Sequence, residues 1–274
     1  MIGELRALRA AVKDAAPLIH CLTNHITIND CANALLSVGA RPVMAEHPGE
    51  TREITRCAQA LMVNLGNITD ERMRSMLLSG RQAKEGGLPC VIDLAGVAAS
   101  TLRLDFARKF IAECNPCLIK GNASEMLSLL QGRPRGGGVD AIAEDKSLPL
   151  TALADAAARL SERHGTAVLI SGAADIIVRP PALVAVENGD PLLAAITGTG
   201  CVQGALAAAF VSCGDVFAGA VLAAALLSVC AEEAARKAKS PGSFKTALFD
   251  RLYDLPDRVF AAQVRIRGLE DEIF

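Results

Sequence analysis

The chain has 274 residues, and with 51% of them hydrophobic it can fill a sizeable core in one large domain. A formal charge of −2, from 28 basic and 30 acidic residues, leaves no basic footprint for nucleic acid or an anionic membrane surface. Aromatics are only 3% and Trp is absent, so the core must be assembled from Ala, Leu, Val and Ile.

The N-terminal MIGELRALRAAVKDAAPLIH interleaves charges with apolar residues and lacks a signal-peptide core, so a cytoplasmic protein is expected. Strand candidates follow at Leu18–Cys21, Pro42–Met44, Ala60–Asn64, Pro89–Asp93, Cys117–Lys120 and Thr166–Ser171. Between them the apolar spacing predicts helices near Ile28–Val38, Asp70–Lys84, Leu102–Glu113, Ala123–Leu130 and Leu150–His164. This alternation predicts an α/β fold, a mostly parallel central sheet flanked by helices on both faces. The glycine-rich segment from Gly132 to Gly138 reads as a flexible loop.

Beyond Ser171 the pattern shortens. Asp175–Val178, Ala182–Val186 and Leu192–Ile196, joined by Arg179-Pro180-Pro181 and Glu187-Asn188-Gly189-Asp190, read as an antiparallel meander on the sheet edge. The most apolar stretch, Cys201 to Cys230, is interrupted by Gly214-Asp215. Each half is expected to fall short of the roughly 20 residues of a membrane span and to form a buried helix. No linker or repeat divides the chain, so residues 1–274 are read as one domain.

The nine cysteines are scattered and odd in number, which argues against a disulfide framework. Cys114-Asn115-Pro116-Cys117 has CxxC spacing, but without a second pair or a His pair it reads as structural. His20, His25, His47 and His164 show no metal-ligand spacing.

In open parallel sheets, ligands bind beyond the carboxyl ends of the strands. Thr23-Asn24, Asn64, Asp93, Lys120-Gly121-Asn122 and Ser171-Gly172 all fall at such ends, which points to one shared crevice. Ile196-Thr197-Gly198-Thr199-Gly200-Cys201 then opens a helical run. Its glycines allow close backbone approach, and free N–H groups at a helix start attract anions. The pattern is neither GxxxxGK[ST] nor GxGxxG. Cys201 lies in the first helical turn, where the helix dipole is expected to lower a thiol pKa from its usual value of about 8.5. There it could accept a proton from a substrate hydroxyl or hydrogen-bond to it; the alternative is a small buried hydrophobe. Asp93 and Glu125 are candidate magnesium ligands. Asn122-Ala123-Ser124-Glu125 reads equally as an N-cap with a capping-box glutamate.

Taken together, the TNxxTxNxxAN segment from Thr23 to Asn33, PVMAE (Pro42–Glu46), GNASE (Gly121–Glu125) and TGTGC (Thr197–Cys201) resemble the hydroxyethylthiazole kinase family. Matching pieces run in order from Pro17 to Leu255. The resemblance implies a ribokinase-like fold and phosphorylation of 4-methyl-5-(2-hydroxyethyl)thiazole by ATP and magnesium, in thiamine salvage. It further implies that Asn24 and Met44 line the thiazole pocket and that Gly198 meets the substrate near its hydroxyl. Lys120, Ser171 and Gly200 are implied for ATP, and Asp93 and Glu125 for magnesium, directly or through water. Cys201 stands where most ribokinase-like kinases carry an aspartate base. A homotrimer is implied too, with active sites between subunits, the Asn24/Met44 region of one chain meeting the Gly198–Cys201 region of another.

Some positions depart from the family pattern. Asp93-Leu94-Ala95-Gly96-Val97-Ala98-Ala99 stands where DPVGxGA is usual. Lys120 replaces an arginine, keeping charge but losing bidentate phosphate geometry. Ser171 replaces a threonine and keeps the hydroxyl. Three rival readings remain open. A hydroxymethylpyrimidine phosphate kinase on the same fold is not expected to carry TNxxTxNxxAN and PVMAE. An ATP-dependent dehydratase of hydrated nicotinamide nucleotides would have an aspartate at position 201. A non-catalytic binding protein is suggested by Leu94, Ala98 and Lys120.

Overall fold

Strand and helix alternate up to Ser171, as the apolar spacing requires. First come α1 (Ile2–Ala15), β1 (Leu18–Leu22), α2 (Ile28–Ser37), β2 (Arg41–Val43), α3 (Thr51–Cys57), β3 (Ala60–Asn64) and α4 (Asp70–Gly86). Next are β4 (Cys90–Asp93), α5 (Thr101–Cys114), β5 (Leu118–Asn122), α6 (Ala123–Gln131), α7 (Ala143–Lys146), α8 (Leu150–His164) and β6 (Ala167–Ser171). The chain closes with β7 (Asp175–Arg179), β8 (Ala182–Val186), α9 (Thr199–Val211), α10 (Val216–Lys237), α11 (Pro241–Asp254), α12 (Asp257–Gln263), β9 (Ile266–Gly268) and α13 (Glu270–Ile273). This computed structural model describes residues 1–136, 138 and 140–273. Gly137, inside the glycine-rich segment, lies outside the described residues. The start of that segment is tied down: the Arg135 and Gly136 amides both donate to the Ala98 carbonyl, at 2.9 and 2.8 Å.

Among the described residues the strands form one sheet in the order β2-β1-β3-β4-β5-β6-β7-β8-β9. Pairing is parallel from β2 to β6 and antiparallel from β6 to β9. The expected antiparallel edge is therefore present, but its third strand is Ile266–Gly268 and not Leu192–Ile196. Residues Pro191–Ala195 form a 3-10 helix instead. Pro191 cannot donate to a ladder and suits a helix start, and the Asp190 carboxylate caps the turn by accepting from the Leu192 amide at 2.9 Å.

Side chains of the central strands alternate between two cores. In β3, Ala60 and Met62 face the core built with α1, α2, α9, α10 and α11, whereas Leu61 and Val63 face the core built with α4, α5, α6 and α8. The apolar stretch after Cys201 forms two helices, as expected, but α10 is longer than expected. It runs 22 residues and is long and apolar enough to cross a membrane, yet 78% of its apolar window is buried between α9, α11 and the sheet. It is the central core helix of its face.

Candidate active site

Parallel pairing brings the carboxyl ends of β1, β3, β4, β5 and β6 to one edge of the sheet. Asn64 is in register with Asp93, and Asp93 with Lys120. Cross-strand neighbours project to the same side, so these three polar side chains share the face that carries Met62, Val91 and Leu118, the face under α9. There Asn64 Nδ2 donates to Asp93 Oδ2 at 3.0 Å, and Lys120 Nζ donates to the same oxygen at 3.2 Å. The side chains of Lys120 and Asp93 are 4% and 1% exposed, so each charge depends on the other for compensation. Burial pulls the Lys120 ammonium down, but the charges of Asp93, Cys201 and Glu125 outweigh it and leave its pKa raised. Asp93 Oδ1 has no hydrogen-bond partner among the described residues.

Helix α9 reaches this cluster because its first turns are stripped of side chains. Gly198, its N-cap, has a φ of 92°, and a Cβ there would overlap the Thr27 methyl group. A Cβ on Gly200 would lie 3.0 Å from Lys120 Nζ, and one on Gly204 would lie 2.9 Å from Met62 Cε and 3.4 Å from Asp93 Oδ2. Positions 200 and 204 are four apart and share a helix face, so α9 lies directly on β3 to β5. Between those glycines Cys201 presents its Sγ, which accepts from Asn24 Nδ2 at 3.1 Å and from Asn64 Nδ2 at 3.3 Å.

One expectation changes at this point. The Cys201 thiol is raised, not lowered. Burial dominates and the Asp93 charge adds to it, against the opposing pull of Lys120, Thr27 and Asn24. Desolvation of a sulfur under a packed helix outweighs the pull of the helix dipole. In addition, Asn24 meets Cys201 within one chain, because β1 and α9 converge at the same sheet edge.

Glu125 adopts the capping arrangement. Its backbone amide donates to Asn122 Oδ1 at 3.0 Å, and its Oε2 accepts from the Asn122 amide at 2.8 Å. Its Oε1 accepts from the Gly96 amide at 2.7 Å, so both oxygens are bound to backbone. Burial, and then the Asp93 charge, push this carboxyl up to about 7. Ser171 ends β6 in register with Asn122, its Oγ donating to the Gly121 carbonyl at a long 3.4 Å. Met44 follows β2, partly buried against the α9-side core and outside the hydrogen-bonded cluster. Cys117 Sγ donates to the Cys90 carbonyl at 3.3 Å, and burial raises Cys114 and Cys117 each to about 11.

The structure also gives specific roles to residues that sequence reasoning placed only at a strand end, as Asn64, or left without a role, as Gly66 and Asp175. Asn64 links Cys201 to Asp93. Gly66 makes that possible, since a Cβ there would sit 2.8 Å from Asn64 Oδ1 and 2.9 Å from Asn24 Nδ2. Asp175 accepts from the Gly172 amide at 3.0 Å and from Gln203 Nε2 at 2.7 Å, tying the turn after Ser171 to α9. The only sequence signal for Asn64 and Gly66 was their position just after an apolar run.

A model of the hydroxyethylthiazole kinase family matches residues 9–258. The chain is 43% identical over 263 residues to hydroxyethylthiazole kinase 2 of Clostridium botulinum strain Hall, covering 95% of this chain and 99% of that one. Its structure is similar to that of the hydroxyethylthiazole kinase protein from Pyrococcus horikoshii OT3, with a TM-score of 0.87, 32% identity, and coverage of 97% and 99%. A ribokinase-like superfamily protein from Enterococcus faecalis V583 shares the fold alone, with a TM-score of 0.61 at 12% identity over 90% of each chain. By family match, full-length identity and fold, the chain belongs to the hydroxyethylthiazole kinase family, on a ribokinase-like scaffold.

Proposed function

We infer that this chain transfers the γ-phosphoryl group of ATP to the hydroxyl of 4-methyl-5-(2-hydroxyethyl)thiazole, giving thiazole phosphate for thiamine salvage. Family membership supports this activity over the pyrimidine kinase, dehydratase and non-catalytic readings. The observation that carries the residue-level mechanism is Cys201 Sγ, held at the head of α9 between two asparagine amides and beside the Asp93–Lys120 pair.

The alcohol would approach Cys201 from the side of Asn24 and Met44, with Gly198 against its hydroxyl end. Both lone pairs of the neutral sulfur are already used by amide donors, so its remaining direction is the S–H bond. The thiol therefore donates to the alcohol oxygen and orients it; its raised pKa leaves it a poor base, so as the O–P bond forms and the bond to ADP breaks, the alcohol proton passes to an oxygen of the transferred phosphoryl group. Phosphoryl transfer through a loose transition state asks mainly for alignment and charge compensation, which suits such a group. The amides of Thr199, Gly200 and Cys201 have no partner within the helix and face the phosphoryl group, with Lys120 beside them. Ser171 would touch the nucleotide at the end of β6.

Magnesium would be held by Asp93, whose buried Oδ1 has no hydrogen-bond partner among the described residues. Glu125, with both oxygens on backbone amides, would act through water. Bound there, the ion would neutralise phosphate charge. A homotrimer and a cytoplasmic location complete the reading. Ile26, just before α2, and Leu36, in its last turn, are 67% and 56% exposed and offer apolar side chains for a subunit contact.

The test is direct: purified chain with ATP, magnesium and the thiazole alcohol should yield ADP and thiazole phosphate. Turnover only with a pyrimidine alcohol, or binding without turnover, would displace this reading. Cys201→Ala should lower kcat by about ten-fold with the fold intact. Unchanged kcat would remove the thiol from the mechanism.

A further inference from the structure

The orientation of both asparagine amides beside Cys201 is fixed from behind. Asn24 Oδ1 accepts from the Thr27 amide at 3.1 Å, and Asn64 Oδ1 accepts from the Gly66 amide at 2.8 Å. Neither side chain can turn over without setting an amino group against a backbone N–H. Their four amino hydrogens are then fully used. Asn24 Nδ2 gives one to Asn64 Oδ1 at 3.1 Å and one to Cys201 Sγ. Asn64 Nδ2 gives one to Cys201 Sγ and one to Asp93 Oδ2. Asn64 itself is fully buried.

We propose that Asn64 is a positioning residue for phosphoryl transfer, its single amino group fixing the distance and direction between the Cys201 thiol and the Asp93 carboxylate. The hydroxyl-facing group and the cation-facing group stand on different elements, α9 and β4, and Asn64 on β3 joins them through one nitrogen. The Asn24–Asn64 bond extends this brace to β1. A small shift of α9 would otherwise misalign the alcohol with the phosphoryl group, and such misplacement is costly in rate. The proposal rests on the role given above to Cys201.

A double-mutant cycle tests it. Asn64→Ala should lower kcat by about ten-fold or more while the KM values for thiazole alcohol and ATP stay within about three-fold. Thermal unfolding should show a folded protein, and Asn64→Leu, which restores bulk without the donor, should behave as Asn64→Ala does. In the Cys201→Ala background the same substitution should cost at least about three-fold less, because the sulfur it orients is gone. Equal losses in both backgrounds, a loss confined to KM, wild-type turnover, recovery by leucine, or failure of both variants to fold would each overturn the proposal. Wild-type turnover in Cys201→Ala alone would instead overturn the role of the thiol on which the proposal stands.

Discussion

Gly198→Ala separates two physical effects at the head of α9. The residue sits at φ 92°, where an L side chain costs roughly 1–2 kcal/mol. Its Cβ would also overlap the methyl group of Thr27, itself 2% exposed, and overpacking of that kind costs about 1–3 kcal/mol. Together they predict a loss of about 2–5 kcal/mol, or roughly 4–20 °C in Tm at about 2 to 4 °C per kcal/mol. Thr27→Ser removes the obstructing methyl and keeps the hydroxyl. In the parent chain that truncation should destabilise by about 1 kcal/mol through lost burial. In the Gly198→Ala background it should stabilise, because it relieves the overlap, while the left-handed backbone share remains. The assay is a four-protein thermal or urea series with kcat measured alongside, and kcat should follow the displacement of Cys201. If Thr27→Ser costs the same in both backgrounds, the close approach of Thr27 to the glycine turn is not what holds α9 in place.

Three further substitutions probe the surroundings. Asp175 is pushed by burial from 3.8 to about 6, opposed by Gly172 and Gln203, so its contribution to stability is full below pH 3.8 and is lost as pH rises through about 6. Asp175→Asn should therefore flatten the urea-derived stability curve between those values, gaining up to about 3 kcal/mol over the parent at pH 7, with the free Gln203 Oε1 turning to accept the new amide. An unchanged pH profile would rule that cost out. Glu125→Gln leaves one of the Gly96 and Asn122 amides without an oxygen, a loss of about 1–2 kcal/mol by denaturation, and should raise the magnesium needed for half-maximal rate. Gly200→Ala places a methyl 3.0 Å from Lys120 Nζ, so kcat with ATP should fall at least about ten-fold while Tm moves by only about 2 °C. A fall in Tm without loss of rate would mean that Lys120 is structural.

The parallel sheet was readable because each of its strands is a short apolar run bounded by turn residues, and because helices of clear periodicity separate those runs. The edge was harder. Leu192–Ile196 looks as apolar as a strand, and only Pro191 with its Asp190 cap turns it into a 3-10 helix. The strand that takes its place, Ile266-Arg267-Gly268, is three residues long and gives no periodic signal. Within the site, strand-end polarity grouped Asn24, Asn64, Asp93 and Lys120, and the structure joins them in one buried hydrogen-bonded cluster. What sequence spacing could not reveal was which of them touch. Cys201 meets Asn24 across 177 positions and Asn64 across 137, and those contacts with burial set the state of its thiol. The Asn122–Glu125 pattern allowed two readings, and the Gly96 amide, 29 positions away, completes the backbone coordination of Glu125.

The Lys120 ammonium is part of the same packing. The ammonium lies against the N-terminal turn of α9, whose free N–H groups carry partial positive charge, so two like-signed ends are pressed together. Asp93 holds them there, 3.2 Å from the nitrogen. A phosphate arriving at the turn relieves the repulsion on both sides at once, pairing with the amides and with the ammonium. The glycines at 198, 200 and 204 therefore let a helix end close down beside a lysine whose charge Asp93 already compensates, so that an entering anion is met by both.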